Sequence, residues 1–135
     1  MASIFSRIVS GEIPSFKVAE NDRFLAFLDI NPIAYGHTLV IPKEEVDYIF
    51  DMPDHLLEEL ITFSKSVAIA MGKVIPCKRI GVAVIGLEVP HTHIHLVPLQ
   101  TIYDIDFKKP KLRFSAEEFR TITERISKAY QDQNS

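Results

Sequence analysis

Short apolar runs dominate the first third of the chain. "FKVAE" (16–20) and "FLAFL" (24–28) are β-prone and meet through "NDR", which predicts a hairpin. "DINPIAYGH" (29–37) is punctuated by proline and glycine and reads as a loop, and "HTLVIP" (37–42) follows as a strand stopped by a proline. The period then changes. Leu56, Leu60, Ile61, Val67, Ala68 and Met71 recur at helical spacing behind Asp51 or Asp54 as cap and Pro53 in the first turn, with Gly72 and Pro76 marking the end. "RIGVAVI" (79–85) and "HTHIHLV" (91–97) are the clearest strands, separated by the turn-like "GLEVP". Residues 100–111 are charged, contain proline and show no period. A second helix opens with a capping box, Ser115 with Glu118, and a hydrophobic staple, Phe114 with Phe119. Its stripe is Phe119, Ile122, Ile126 and Tyr130, and the tail 131–135 is expected to fray.

The order β-β-β-α-β-β-α has hairpins in place of repeated βα units. That predicts an α+β fold with a mostly antiparallel five-stranded sheet and two main helices. A length of 135 residues fits one domain, 1–135, and 47% apolar residues can fill its core without disulfides or metal. Two helices leave part of such a sheet bare, and an exposed edge or face invites dimerisation. A net charge of −3 gives no general attraction for nucleic acid, although local donors can still hold a small anion. Cys77 is the single cysteine, so an internal disulfide is impossible and a cysteine-based zinc site is not expected. "MASIFSRIVSGEIPSF" carries charge and proline and lacks the apolar core of a signal peptide. No stretch is long or apolar enough to span a bilayer, so the expectation is a cytoplasmic protein without a membrane partner.

Candidate chemistry concentrates in one place. Of five histidines, His91, His93 and His95 fall at every second position of a predicted strand, and would share one face while Thr92, Ile94 and Leu96 share the other. Two chemistries fit. A central imidazole can attack phosphorus and form a phospho-histidine-type intermediate, its neighbours orienting it or donating to phosphoryl oxygens. Alternatively, two or three rings can bind a transition metal. Glu88 and Asp29 are the acids available to complete a metal site, but neither stands at a familiar ligand spacing. His37, after a loop that begins with Asp29, can reach the same cleft.

"HTHIHLVP" resembles the histidine triad signature, His-φ-His-φ-His-φ-φ with φ apolar, of a family of nucleotide hydrolases and transferases; Thr92 departs from it mildly. With "FLDINPIAYGHTLVIPK" upstream, the likeness extends over nearly the whole chain and points to the compact Hint-like branch. The resemblance implies an α+β fold whose sheet extends across a homodimer, and no cofactor. It implies His93 as nucleophile, His95 near a phosphoryl oxygen, His91 as a backbone-linked brace and His37 as the end of the relay. Asp29 matches the acid that accepts ribose hydroxyls. Phe5, Ile8, Phe27 and Leu39 match apolar positions around the base, and Ile30 lies near the sugar. The implied partner is a purine nucleotide, AMP-like.

Two departures accompany the likeness. The turn before the triad is the short "VIGLEVPH": Gly86 matches the family glycine, but Glu88 stands where a serine or threonine is usual, and Val84 or Ile85 where an asparagine is expected. An acid beside a phosphate is repulsive unless it is protonated or held away. Glu88 could act on a leaving-group amine or select a cationic leaving group. Some relatives also carry zinc on an N-terminal Cys-x-x-Cys with two histidines; here the segment is Ser3-Ile4-Phe5-Ser6, and even with His55 and His91 no zinc is expected. The preferred reading is hydrolysis or transfer at the α-phosphorus of purine nucleoside 5′-monophosphate derivatives, preferably phosphoramidates. The alternatives are a dinucleoside polyphosphate hydrolase, a nucleotide-binding regulatory protein with little turnover, and a metal-dependent His-x-His enzyme.

Overall fold

In the computed structural model, which describes residues 2–134, the chain first makes a meander of β1 (Lys17–Glu20), β2 (Phe24–Leu28) and β3 (Thr38–Pro42). β5 (Ile94–Leu99) pairs with β3, and β4 (Arg79–Ala83) pairs with β5 at the edge. The order is β1-β2-β3-β5-β4, with every neighbouring pair antiparallel. The helices are α1 (Ile4–Val9), α2 (Asp54–Val74) and α3 (Ala116–Asn134). The five-stranded antiparallel α+β architecture expected from the hairpin order is therefore present, with one additional short helix.

The period-2 pattern sorts side chains to two faces. Phe24, Ala26, Leu28, Val40, Ile94 and Leu96 join the core beneath α2 and α3, while Leu25, Phe27, Leu39 and Ile41 pack with Phe5 and Ile8 of α1 on the opposite side. β2 and β3 are consequently buried at every position and read as continuous apolar runs. α1 has only six residues and is too short to be stable by propensity; its docked Phe5 and Ile8 hold it, and Ser3 caps it by accepting the Ser6 N–H at 3.0 Å.

Several boundaries differ from the sequence pattern. β5 begins at Ile94, not His91, because the His91 N–H bonds back to the Val89 carbonyl at 2.8 Å and the Thr92 N–H to Val46 at 2.7 Å. β4 ends at Ala83, and the sheet pairing of β3 begins at Thr38. α2 has no side-chain cap; Pro53 occupies the N-cap position and Asp51 belongs to a short 3₁₀ turn. In its stripe Leu56, Leu60, Val67 and Met71 are buried, but Ile61 is 49% exposed and Phe63 and Ala70 complete the core face. A residue one step from Leu60 is rotated about 100° around the helix, so the two cannot share one narrow stripe. The α3 capping box forms, Ser115 N–H to Glu118 Oε1 at 2.9 Å and Glu118 N–H to Ser115 Oγ at 3.0 Å. α3 also continues to Asn134 where fraying was expected from 131, because Gln133 donates to the Ser66 carbonyl at 2.6 Å and accepts from Lys73 Nζ at 2.9 Å. Ser135 lies outside the described residues. No helix among the described residues is long and apolar enough to cross a membrane.

Candidate active site

The face opposite α2 and α3 carries the site. Phe27 pairs with Leu39 and Leu39 with His95, so these three side chains form a row across β2, β3 and β5. α1 adds Phe5 and Ile8 beside that row. Asp29 and Ile30 open the loop after β2 and His37 closes it; the loop is pinched by the Asp29 N–H on the His37 carbonyl at 3.0 Å. Glu88 comes from the loop between β4 and β5, where Gly86 adopts φ +72°, a conformation that glycine takes without a Cβ penalty. Phe5, Ile8, Phe27, Asp29, Ile30, His37, Leu39, Glu88, His93 and His95 line one cleft of about 460 Å³. His91 alone of the expected site residues does not; it is fully buried behind His93.

Hydrogen bonds fix the state of each ring. A carbonyl only accepts, so His91 Nε2, 2.8 Å from the Pro42 oxygen, carries the proton. Its Nδ1 then accepts the Ser3 hydroxyl at 2.7 Å. By the same argument His93 donates Nδ1–H to the His91 carbonyl at 2.8 Å, which leaves the lone pair of its neutral ring on Nε2. On the other side, His37 Nδ1 accepts the Ile33 N–H at 3.1 Å, so His37 donates from Nε2 to His95 Nδ1 at 2.9 Å. His95 in turn must carry its proton on Nε2. One ring thus offers a lone pair to the cleft and its neighbour, 5.1 Å away between centroids, offers an N–H.

Burial lowers the proton affinity of three of these rings. Burial pushes His37 down to about 4, helped by the Lys111 charge and by His93. Burial likewise brings His95 to about 4, with His37, His93 and Lys111 acting in the same direction and Asp29 opposing. His91 is lowered by burial, against the Pro42 carbonyl and Glu45. Asp29 divides its oxygens: Oδ1 accepts the Asn31 N–H at 2.8 Å, stabilising the turn, and Oδ2 lies 3.7 Å from His37 Nε2. One side chain thus both supports the turn and faces the cleft.

Asp29, His37 and His95 bring three ligand-type atoms within 4.8 Å of one another, which is the spacing of a metal site. The donor set does not fit one. The Ile33 N–H occupies His37 Nδ1, so the neutral ring needs its proton on Nε2, the atom a metal would require bare. The N-terminal segment is no better suited. Ser3 and Ser6 hold hydroxyls in place of thiolates, and both nitrogens of His91 are engaged.

Two residues beside the histidines carried no sequence signal. Phe107 packs its ring 4.6 Å from His95 and 6.2 Å from His37, and Lys111 sits over the Phe107 ring while donating to its carbonyl at 3.1 Å. Both lie in the aperiodic stretch after β5, which the Leu112 N–H ties to the Pro32 carbonyl at 2.8 Å. A fold-back of that kind leaves no pattern of period 2 or 3.6 to read. Lys111 is the only lysine or arginine that lines the cleft among the described residues.

Comparison with known proteins converges on one group. Residues 10–102 match the HIT domain model. An uncharacterized HIT-like protein of Borreliella burgdorferi is 37% identical over 132 residues, covering 92% of this chain and 95% of that protein. The adenosine 5′-monophosphoramidase of Schizosaccharomyces pombe is 34% identical over 129 residues, covering 94% and 97%. Among solved structures, a HIT-like protein from Bartonella henselae involved in cell-cycle regulation superposes with a TM-score of 0.83 at 31% identity, covering 94% of this chain and 95% of that one. Matches of that length and identity, on a chain with this sheet order, make it a member of the HIT, or histidine triad, family.

Proposed function

We propose that the protein hydrolyses, or transfers nucleotide from, purine nucleoside 5′-monophosphate derivatives, with phosphoramidates preferred. The observation that carries this reading is the His93 Nδ1–H bond to the His91 carbonyl, which in the neutral ring leaves the lone pair of Nε2 free to act as the nucleophile. Nε2 attacks the α-phosphorus, the bond to the leaving nitrogen breaks, and a nucleotidyl-His93 intermediate forms. A phosphoramidate nitrogen protonated before attack leaves as a neutral amine. Water then adds to phosphorus and the P–N bond to His93 breaks, returning the free ring. His95 Nε2–H donates to the phosphoryl oxygens as their charge grows, held in that tautomer by His37. Asp29 Oδ2 accepts the ribose hydroxyls, Ile30 lies against the sugar, and the base enters between Phe5, Ile8, Phe27 and Leu39.

Glu88 favours an amine over a polyphosphate leaving group. It is exposed at the rim of the cleft, where it repels an anionic chain and attracts a protonated nitrogen. The yeast relative's activity as an adenosine 5′-monophosphoramidase supports the same substrate class. No step in this scheme calls for a metal. A homodimer through the β4 edge is part of the reading, since the side of β4 away from β5 has no partner strand among the described residues and the strand exposes Val82. The test is hydrolysis of adenosine 5′-phosphoramidate in the presence of chelator by wild type and His93→Ala. Turnover in the first and none in the second is expected; binding of AMP without cleavage by wild type would replace the enzyme with a nucleotide-binding protein.

A further inference from the structure

Glu45 belongs to none of the strands or helices and is exposed, yet its Oε1 receives two short bonds, from the Ser3 N–H and from the Ser6 hydroxyl, both at 2.7 Å. Ser3 continues the chain. Its oxygen accepts the Ser6 N–H at 3.0 Å and its proton goes to His91 Nδ1 at 2.7 Å. Across the His91 ring, Nε2–H is fixed on Pro42, and the His91 carbonyl takes the His93 proton. We infer that Glu45 is a positioning residue: through Ser3 and Ser6 it fastens α1 to His91 and so keeps His93 in the tautomer that leaves Nε2 bare.

The inference follows from what the contacts would do if Glu45 were absent. α1 is too short to hold itself, and beside its docked Phe5 and Ile8 the Glu45 carboxylate accepts from both Ser3 and Ser6, the same two residues whose hydroxyls meet His91 Nδ1. If Ser3, at 2.7 Å, and Ser6, at 3.4 Å, drift together, His91 Nδ1 is left buried without a donor. Protonating Nδ1 instead would place a lone pair of Nε2 against the Pro42 oxygen, so the ring must move. Its carbonyl moves with it and the His93 proton loses its acceptor. Phe5 lies between the two serines and touches both rings, at 5.9 Å from His91 and 5.0 Å from His93. Loosening α1 therefore disturbs the base pocket and the nucleophile together.

The inference rests on His93 as nucleophile, and its test separates the two ideas. Nitrogen-15 NMR of the histidine rings reports the His93 tautomer without any turnover, beside kinetics on adenosine 5′-phosphoramidate and thermal unfolding. In Glu45→Ala the Nε2–H form of His93 should become populated, with kcat down about 10- to 100-fold, by analogy with the loss when the partner that fixes the tautomer of a metal-bound histidine is removed. Glu45→Gln keeps an acceptor for both serines and should restore the tautomer and most of kcat. A His93 spectrum in Glu45→Ala identical to wild type overturns the inference, whether or not kcat falls, since activity lost with melting temperature alone marks a structural role. If wild type cleaves nothing, the tautomer comparison still decides the role of Glu45 while the phosphoramidate reading fails separately.

Discussion

Acid should weaken this fold well before its carboxylates titrate. His37 and His95 sit at about 4 in the folded protein, lowered first by burial, against an ordinary 6.5. Between those values the unfolded chain binds protons that the native chain refuses, so stability is complete above the unfolded value and falls as the pH drops toward 4. Each histidine costs about 1.4 kcal/mol per pH unit once it is mostly protonated in the unfolded state. One unit below 6.5, the pair removes about 2.8 kcal/mol, from a total of 5–15 kcal/mol typical of a domain. His91 shifts in the same direction and adds to the loss. Glu20 and Glu45 are held below 4.5, by Lys43 and by Ser3 respectively, so their contribution disappears only at lower pH. With a urea slope near 2 kcal/mol/M, the unfolding midpoint should fall by about 1–2 M between neutral pH and roughly 5.5. The assay is a urea series across that range for wild type and for the His37→Asn/His95→Asn double variant. The variant should be weaker throughout but lose most of the slope. A wild-type midpoint that stays flat, or an equal slope in both proteins, refutes the argument.

Three other perturbations test separate parts of the account. Asp29→Ala should raise KM for adenosine 5′-phosphoramidate while lowering kcat much less, because the ribose contact is made in ground and transition states alike; steady-state kinetics decide it. Lys111→Met removes a positive charge that lowers both His37 and His95, so the acid limb of the kcat profile should move to higher pH. An unmoved limb would show that neither ring controls it. Gly36→Ala forces a φ of +85° on alanine beside His37 and drives its Cβ into Ile75, and should cost about 1–3 kcal/mol in urea unfolding.

The sequence pattern carried the sheet because its signals are local. Phe24 to Leu28 form a short β-prone run, apolar throughout because both its faces are buried, His91 to Val97 alternate, and the capping box at Ser115 is complete within four residues. The triad was legible for the same reason, but its alternation alone does not divide the labour among the rings; the part of a backbone-linked brace came to His91 only through the family resemblance. Three alternating histidines suggest three equal rings on one strand face, whereas His91 precedes the strand, lies behind the cleft and serves through its carbonyl. That distinction depends on bonds from Pro42 and Ser3, which are 49 and 88 residues away. α1 escaped notice because its apolar positions, Phe5 and Ile8, are too few to establish a period. Phe107 and Lys111 were hidden because a fold-back tied by single backbone bonds has no composition of its own.

The most direct test of the central claim is to look for the covalent intermediate. Wild type and His93→Ala would be mixed with adenosine 5′-phosphoramidate in chelator, quenched within the first turnover, and their intact masses and digests compared. The account predicts a nucleotidyl group on His93 in wild type that decays as AMP appears, and none in the variant. AMP released by wild type with no adduct at any quench time, or turnover that survives in His93→Ala, would contradict it.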